Sequence, residues 1–121
     1  MRFLTMIKGR ENVGPPPNPL MTAIAKLGEE AVKAGVLVET GGLFPSAMGA
    51  RVRLSGGNLA VTDGPFTEAK ELIGGYAVYD VKSKEEAIGW ASRFMELHRD
   101  HWPGWEGEAE IRQIFDAPSN P

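Results

Sequence analysis

The chain of 121 residues contains no cysteine. This absence excludes disulfide bonds, thiol catalysis and cysteine-ligated zinc. Histidine is scarce, with two residues, and the sequence has no phosphate-binding loop, nucleophile elbow or dinucleotide fingerprint. We therefore expect no cofactor, and no familiar catalytic motif assigns a reaction.

An excess of positive charge is missing as well. The 13 Lys and Arg residues are outnumbered by 16 Asp and Glu residues, which gives a net charge of -3. This balance argues against a nucleic-acid partner. Long apolar runs are also absent, since the N-terminal apolar stretch meets Lys8 too early for a signal peptide or a membrane span. We expect a soluble cytoplasmic protein without a membrane partner.

The composition that remains is sufficient for one domain. Hydrophobic residues make up 42% of the chain and charged residues 24%, values typical of globular proteins. A chain of this length buries about two-thirds of its unfolded surface. With no internal repeat, the sequence predicts a single domain over residues 1–121, with a frayed tail at residues 117–121.

Two helices are predicted from their boundary residues and periodicity. Asn18 as N-cap and Pro19 at the first helical position open the first helix, and Gly35 ends it. A capping box at residues 83–86 opens the second helix, which we expect to reach about His98. Apolar residues recur at helical spacing within both segments.

Short apolar stretches predict the strands, at residues 3–8, 36–38, 51–54, 58–61, 76–79 and 108–115. The order is β-α-β, a hairpin, then β-α-β, which is the ferredoxin-like plan with two helices on one side of an antiparallel sheet. Residues 76–79 read as a central strand covered on both faces. Two helices cover one face of a sheet, so we expect an α+β fold whose bare sheet face stacks on a second copy in a homodimer.

The densest cluster of special residues lies at 63–71, which read Asp-Gly-Pro-Phe-Thr-Glu-Ala-Lys-Glu, with Gly-Gly-Tyr following at 74–76. Asp before Gly-Pro is common turn chemistry. Alternatively, Asp63 is a general base whose pKa is raised by burial beside Phe66. Glu68 is either a second acid–base group or part of a solvated run of charges. Asp63 and Glu68 are therefore the catalytic candidates.

Four residues are candidates for ligand contacts. The guanidinium groups of Arg53 and Arg112 can bind a carboxylate, although Arg112 has Glu110 as an alternative partner. Phe66 and Tyr76 are the aromatic candidates. A tyrosine of this kind more often packs with its hydroxyl satisfied.

The segment around the end of the second helix offers a weaker possibility. His98 and His101 have a spacing that fits metal ligands on one helical face. The pattern favours instead a surface helix end at which histidine complements the helix dipole, so we predict no metal. Trp102 and Trp105 flank a Pro-Gly turn and are either packing residues or the edge of a cleft.

The motif at residues 63–71 and the Gly-Gly-Tyr that follows resemble the signature of the YCII-related proteins of the DGPF type. The segments at 34–37, 83–90 and 110–112 are similar to that family as well. The resemblance implies a dimeric α/β barrel, which is the face-to-face dimer expected from the helices. The family is largely uncharacterised, and some members are encoded beside extracytoplasmic-function sigma factors, which implies a link to sigma-factor signalling.

Shorter YCII-type relatives carry a His in the first helix and an Asp near its end, proposed as a catalytic pair, and the wider group includes a chlorinated-aromatic dehydrochlorinase. The corresponding positions here are Ile24 and Lys33. Neither side chain can replace His and Asp in acid–base work, so that enzymatic role does not carry over by residue.

The leading hypothesis is a bacterial YCII-related homodimer that binds a small anionic or aromatic molecule between the sheet and the helices, near residues 63–71. The second is a small lyase-like enzyme that uses Asp63 or Glu68 as its acid–base group. The third is a protein-interaction module, in which the motif serves the dimer or another partner.

Overall fold

The computed structural model describes residues 1–115, and the tail predicted at 117–121 lies outside them. The order of elements along the described chain is the predicted one. The strands and helices are β1 (Arg2–Gly9), α1 (Asn18–Lys33), β2 (Leu37–Gly42), β3 (Ala50–Ser55), β4 (Asn58–Asp63), β5 (Leu72–Asp80), α2 (Lys84–His101) and β6 (Gly107–Gln113). A short 3-10 turn, Ser46–Met48, lies between β2 and β3.

Four strands form an antiparallel sheet in the order β2-β5-β1-β6. The strands β3 and β4 form a separate two-stranded sheet. This arrangement is compatible with the ferredoxin-like plan, because the two central strands are the first of each β-α-β half. The predicted α+β class with antiparallel sheets is confirmed.

The core lies between one face of the four-stranded sheet and both helices. Phe3 and Tyr79 are cross-strand partners, and they pack with Ala31 of α1 and Ala87 of α2. Alternate residues of a strand point to opposite faces, so Leu4 and its alternate neighbours face away from the helices. Within residues 1–115 neither helix covers that second face, and the prediction that residues 76–79 are covered on both faces is not met by a single chain.

The ends of α1 follow from local chemistry. Its N-cap is Pro17, one residue earlier than predicted, and Asn18 lies inside the helix without capping it. At the other end Gly35 adopts φ 74°, and its amide donates to the Val32 carbonyl while the Val36 amide donates to Ala31. This double hydrogen bond is a Schellman motif, which glycine accommodates without steric cost.

The predicted capping box at residues 83–86 has two hydrogen bonds, and the structure contains one of them. The Ser83 hydroxyl accepts from the Glu86 amide at 3.1 Å. The Glu86 carboxylate accepts instead from the amide of Lys82, at 2.9 Å, one residue before the expected donor. The helix continues to His101, beyond the predicted end at His98.

The hairpin of β3 and β4 turns at Gly56 and Gly57, with φ 57° and 79°. Positive φ at both central residues is the requirement of a type I′ turn, which only glycine and a few polar residues meet easily. Directly opposed residues of a hairpin share one face. One face of this hairpin is therefore apolar, and its residues are exposed: Val52, Leu54, Leu59 and Val61.

Candidate ligand-binding cavity

A cavity of about 590 Å³ lies between the helix-facing side of the sheet and the two helices. The sheet contributes Thr5, Ile7 and Ala77, and α1 contributes Ile24 and Leu27. The loops at residues 10–16 and 43–45 also border it. Its wall is largely apolar because these positions alternate inward along β1 and recur at helical spacing along α1.

One end of the cavity is aromatic. The His98 ring lies 4.8 Å from the Phe94 ring and 4.5 Å from the Trp105 ring, measured between centroids. Trp102 stacks on Trp105 at 5.9 Å. All four residues line the cavity, in agreement with the alternative that the two tryptophans edge a cleft.

His98 is buried, so the prediction that it marks a surface helix end is wrong. It follows Phe94 by four residues and lies on the helix face of Ala87 and Ala91, which are also buried. This spacing of four, three and four residues was a signal in the sequence that the ring points inward. The short connection after α2 then folds Trp105 back onto the same ring.

The hydrogen bonding of His98 defines its tautomer. Its Nδ1 lies 3.0 Å from the Phe94 carbonyl oxygen. A carbonyl oxygen only accepts, so Nδ1 carries the proton and Nε2 is an acceptor. Burial lowers the pKa of His98 below its ordinary value, against a smaller opposing effect of the Phe94 carbonyl. The ring is therefore neutral at neutral pH.

We expect this burial to make stability depend on pH. The folded state disfavours the protonated ring, so the His98 contribution is fully present above its ordinary pKa of 6.5 and is lost as pH falls through the lowered folded-state pKa. Urea denaturation between about pH 7.5 and about pH 5.5 checks this, because ordinary carboxylates titrate lower. His98→Gln is expected to reduce the change in the free energy of unfolding with pH. The control His101→Gln is expected to keep the change seen in the wild type. Equal slopes in the wild type and His98→Gln would contradict the assignment.

Thr5 is another polar residue of the cavity wall. Its side chain is 3% exposed, between Phe3 and Ile7 on the helix-facing side of β1. Within residues 1–115 its hydroxyl oxygen is the one enclosed side-chain polar atom without a hydrogen-bond partner. An unpaired buried hydroxyl lowers stability.

Thr5→Val is accordingly expected to stabilise the protein, by about 1 kcal/mol, because it replaces an unpaired hydroxyl with a methyl group of the same shape. The control is Thr40→Val, because the Thr40 hydroxyl donates to the Tyr76 carbonyl at 2.9 Å. We expect that control to give no gain. Chemical denaturation of the three proteins measures both effects, and a Thr5→Val protein less stable than the wild type would refute this account of the hydroxyl.

The motif at residues 63–71 is connected by hydrogen bonds to loops distant in the sequence. The Glu11 carboxylate accepts from the amide and the hydroxyl of Ser46, at 2.5 and 2.7 Å. The Ser46 hydroxyl oxygen accepts from the Phe66 amide at 3.1 Å, and the Gly64 amide donates to Gly49 at 2.9 Å. The Gly64–Pro65 peptide bond is cis. The motif thus joins the hairpin to the turn after β2 and the loop after β1.

One charged residue of the motif, Glu68, pairs with the hairpin. The Arg51 guanidinium lies 3.9 Å from the Phe66 ring centroid and forms an ion pair with Glu68. A hydrogen bond to its own backbone amide, with the Arg51 pair, lowers the pKa of Glu68 below its ordinary range. Asp63, at the end of β4, is exposed. Neither carboxylate lines the cavity.

The four predicted ligand contacts occupy different places. Tyr76 belongs to the cavity lining, but it pairs with Met6, so its side chain lies on the open face of the sheet, where its hydroxyl donates to Glu39 at 3.1 Å. Arg53 is exposed on the hairpin. Arg112 pairs with Glu110 at 3.3 Å, which is the structural alternative considered for it. Among the six predicted site residues, the structure brings Tyr76 to the cavity and leaves Asp63, Glu68, Arg53, Phe66 and Arg112 outside its lining.

The segment that follows the motif does border the cavity. Residues 72–75 are part of its lining. A Cβ atom on Gly75 would lie 3.2 Å from the Gly41 carbonyl oxygen, so glycine permits the close approach of β2 to β5 here. Ile24, at the position of the helix histidine of shorter relatives, also lines the cavity, whereas Lys33 is exposed.

Residues 1–115 contain no group of three or more His, Asp or Glu residues placed to hold a metal ion. In the same part of the chain, neither helix combines the length and the apolar character needed to cross a membrane.

The family model of the YCII-related domain matches residues 1–102, which is most of the chain. The chain belongs to the YCII-related family. An uncharacterised protein of Rhizobium meliloti (strain 1021) is similar to it, with 35% identity over 72 residues. The match covers 60% of this chain and 58% of that relative. The predicted membership of the YCII-related family is thus confirmed.

Proposed function

We propose that this YCII-related protein binds a small aromatic molecule in the cavity between the sheet and the helices. The observation that carries the proposal is the cavity of about 590 Å³ with an aromatic end formed by Phe94, His98, Trp102 and Trp105. Ligand sites are typically about 300–1,000 Å³ in volume, largely apolar, with a few polar groups that orient the ligand. The volume of this cavity, its largely apolar wall and the presence of polar residues such as His98 in its lining fit that description.

The distribution of charge favours an aromatic ligand over an anionic one. Among the described residues, Arg10 and Glu11 are the charged residues of the lining. Arg10 is exposed at the rim, and Glu11 binds Ser46. No guanidinium or ammonium group therefore lies deep in the described cavity to bind a carboxylate. Flat apolar rings, in contrast, can stack on the aromatic end.

Calorimetric titration with 2-naphthol tests the proposal. We expect saturable binding at one site per chain. Ile24→Trp fills the cavity from α1 and is expected to weaken binding at least about tenfold, or about 1.4 kcal/mol. Val32→Trp is the control, because Val32 is exposed on the same helix and outside the lining. Equal affinity in both variants, or no saturable binding by the wild type, would refute the cavity as the site.

We also propose that the protein is a homodimer in which the open sheet faces stack, as in a dimeric α/β barrel. Leu4, Met6 and Val78 are half-buried on that face, and Lys8 pairs with Glu110 beside them at 2.5 Å. An apolar centre with a charged border is typical of interfaces between subunits. Sedimentation at micromolar concentration measures the mass directly, and a monomer would contradict the proposal.

The other hypotheses stay predictions. The acid–base enzyme finds no support in the geometry, because Asp63 and Glu68 lie outside the cavity lining. The exposed apolar face of the hairpin is compatible with an interaction module, but no partner is indicated. The link to sigma-factor signalling rests on the family resemblance alone.

A further inference from the structure

The cavity is not matched to a pure hydrocarbon. Thr5 and His98 are among the polar residues of its lining. The Thr5 hydroxyl oxygen is fully enclosed, whereas His98 Nε2 is not an enclosed atom and has no hydrogen-bond partner among the described residues. A wholly apolar ligand would displace water from His98 Nε2 and leave it unpaired, and a ligand that pairs with it gains affinity and orientation.

His98 is the better placed of the two groups to discriminate between ligands. Its ring is held between Phe94 and Trp105, and the bond from Nδ1 to the Phe94 carbonyl fixes the orientation of the ring. With Nδ1 donating, Nε2 presents a lone pair and no proton. It can therefore accept a hydrogen bond from a ligand, but it cannot donate one to a ligand carbonyl or ether oxygen.

We propose that His98 determines specificity by accepting a hydrogen bond through Nε2, so that the cavity selects aromatic molecules bearing a hydroxyl or N–H donor over hydrocarbons of the same shape. This inference rests on the proposed function. It adds a ligand class, namely phenol-like or pyrrole-like aromatic molecules. The tryptophan side chains beside His98 provide flat surfaces on which such a ring can stack while its donor points at Nε2.

The test compares 2-naphthol with 2-methylnaphthalene, in which a methyl group replaces the hydroxyl. We expect the wild type to prefer 2-naphthol at least about tenfold, the discrimination expected for one hydrogen bond in an enclosed site. His98→Phe is expected to abolish the preference while still binding 2-methylnaphthalene, which shows that the variant is folded. His98→Gln, whose side-chain oxygen can accept, is expected to restore part of it.

The outcomes separate the two proposals. Equal binding of both compounds by the wild type overturns the role of His98 and leaves the cavity as an aromatic site. A preference that persists in His98→Phe assigns the contact to another residue and also overturns it. Binding of neither compound removes the proposed function and this inference together.

Discussion

Phe3→Ala is expected to lower the free energy of unfolding by about 3–5 kcal/mol, the loss typical of deleting a buried aromatic ring. Phe3 is 3% exposed and pairs with Tyr79 on the helix-facing side of the sheet. Both helices pack on this pair through Ala31 and Ala87. Because those alanines are too small to fill the vacated space, the substitution leaves a cavity at the junction of sheet and helices.

Urea denaturation measures this loss, with Phe115→Ala as the control. Phe115 is 88% exposed, so its truncation is expected to change stability by less than about 0.5 kcal/mol. The whole domain is stabilised by about 5–15 kcal/mol, so the Phe3 variant loses a large share of it. A loss below about 1 kcal/mol would show that the core is not centred on the pair of Phe3 and Tyr79.

Gly64→Ala is the second substitution with a large expected effect, a loss of about 3 kcal/mol, at the upper end of overpacking costs. A Cβ atom at this position would overlap the carbonyl group of Ser46 and lie 3.2 Å from the Ala47 amide nitrogen. The obstacle is backbone, which cannot rotate away. The bonds from Gly64 to Gly49 and from Ser46 to Glu11 hold both sides in place.

The matched control is Gly89→Ala. Gly89 lies within α2 and has no atom close to the position of an added Cβ. Alanine there is expected to stabilise the protein, by about 0.5–1 kcal/mol, because it favours the helix. We therefore expect the free energy of unfolding to fall in Gly64→Ala and to rise in Gly89→Ala, as measured by thermal or urea unfolding. Similar stability of Gly64→Ala and the wild type would show that the motif does not require the close approach of the Gly64 backbone to the Ser46 carbonyl group.

Much of the fold was predictable because its signals are local. The end of α1 at Gly35 and the hairpin turn at Gly56 and Gly57 need positive φ. Glycine in the sequence indicates such a backbone conformation at one or two residues. The Ser83 cap acts over three residues. The predicted boundaries at Asn18 and His98 were less accurate: the N-cap of α1 is Pro17, and α2 continues to His101.

The site was less predictable because it is built from segments far apart in the sequence. The density of special residues at 63–71 suggested a pocket, whereas the structure uses Gly64 and Phe66 to hold Ser46, itself held by Glu11. No local period reveals that chain of contacts. The cavity instead unites Thr5 with His98, on β1 and α2. The helical spacing of α2 carried a signal that His98 faces inward, but the prediction placed His98 at the surface, and no spacing shows that open space separates the elements there.

The central claim, that the helix-side cavity binds a small aromatic molecule, is tested most directly by the indole N–H signals of the three tryptophans. Trp102 and Trp105 line the cavity and Trp90 does not. In nitrogen-15 correlation spectra titrated with 2-naphthol, we predict saturable shifts of the Trp102 and Trp105 signals and a nearly unchanged Trp90 signal. Unmoved Trp102 and Trp105 signals, or equal shifts of all three, would contradict the claim.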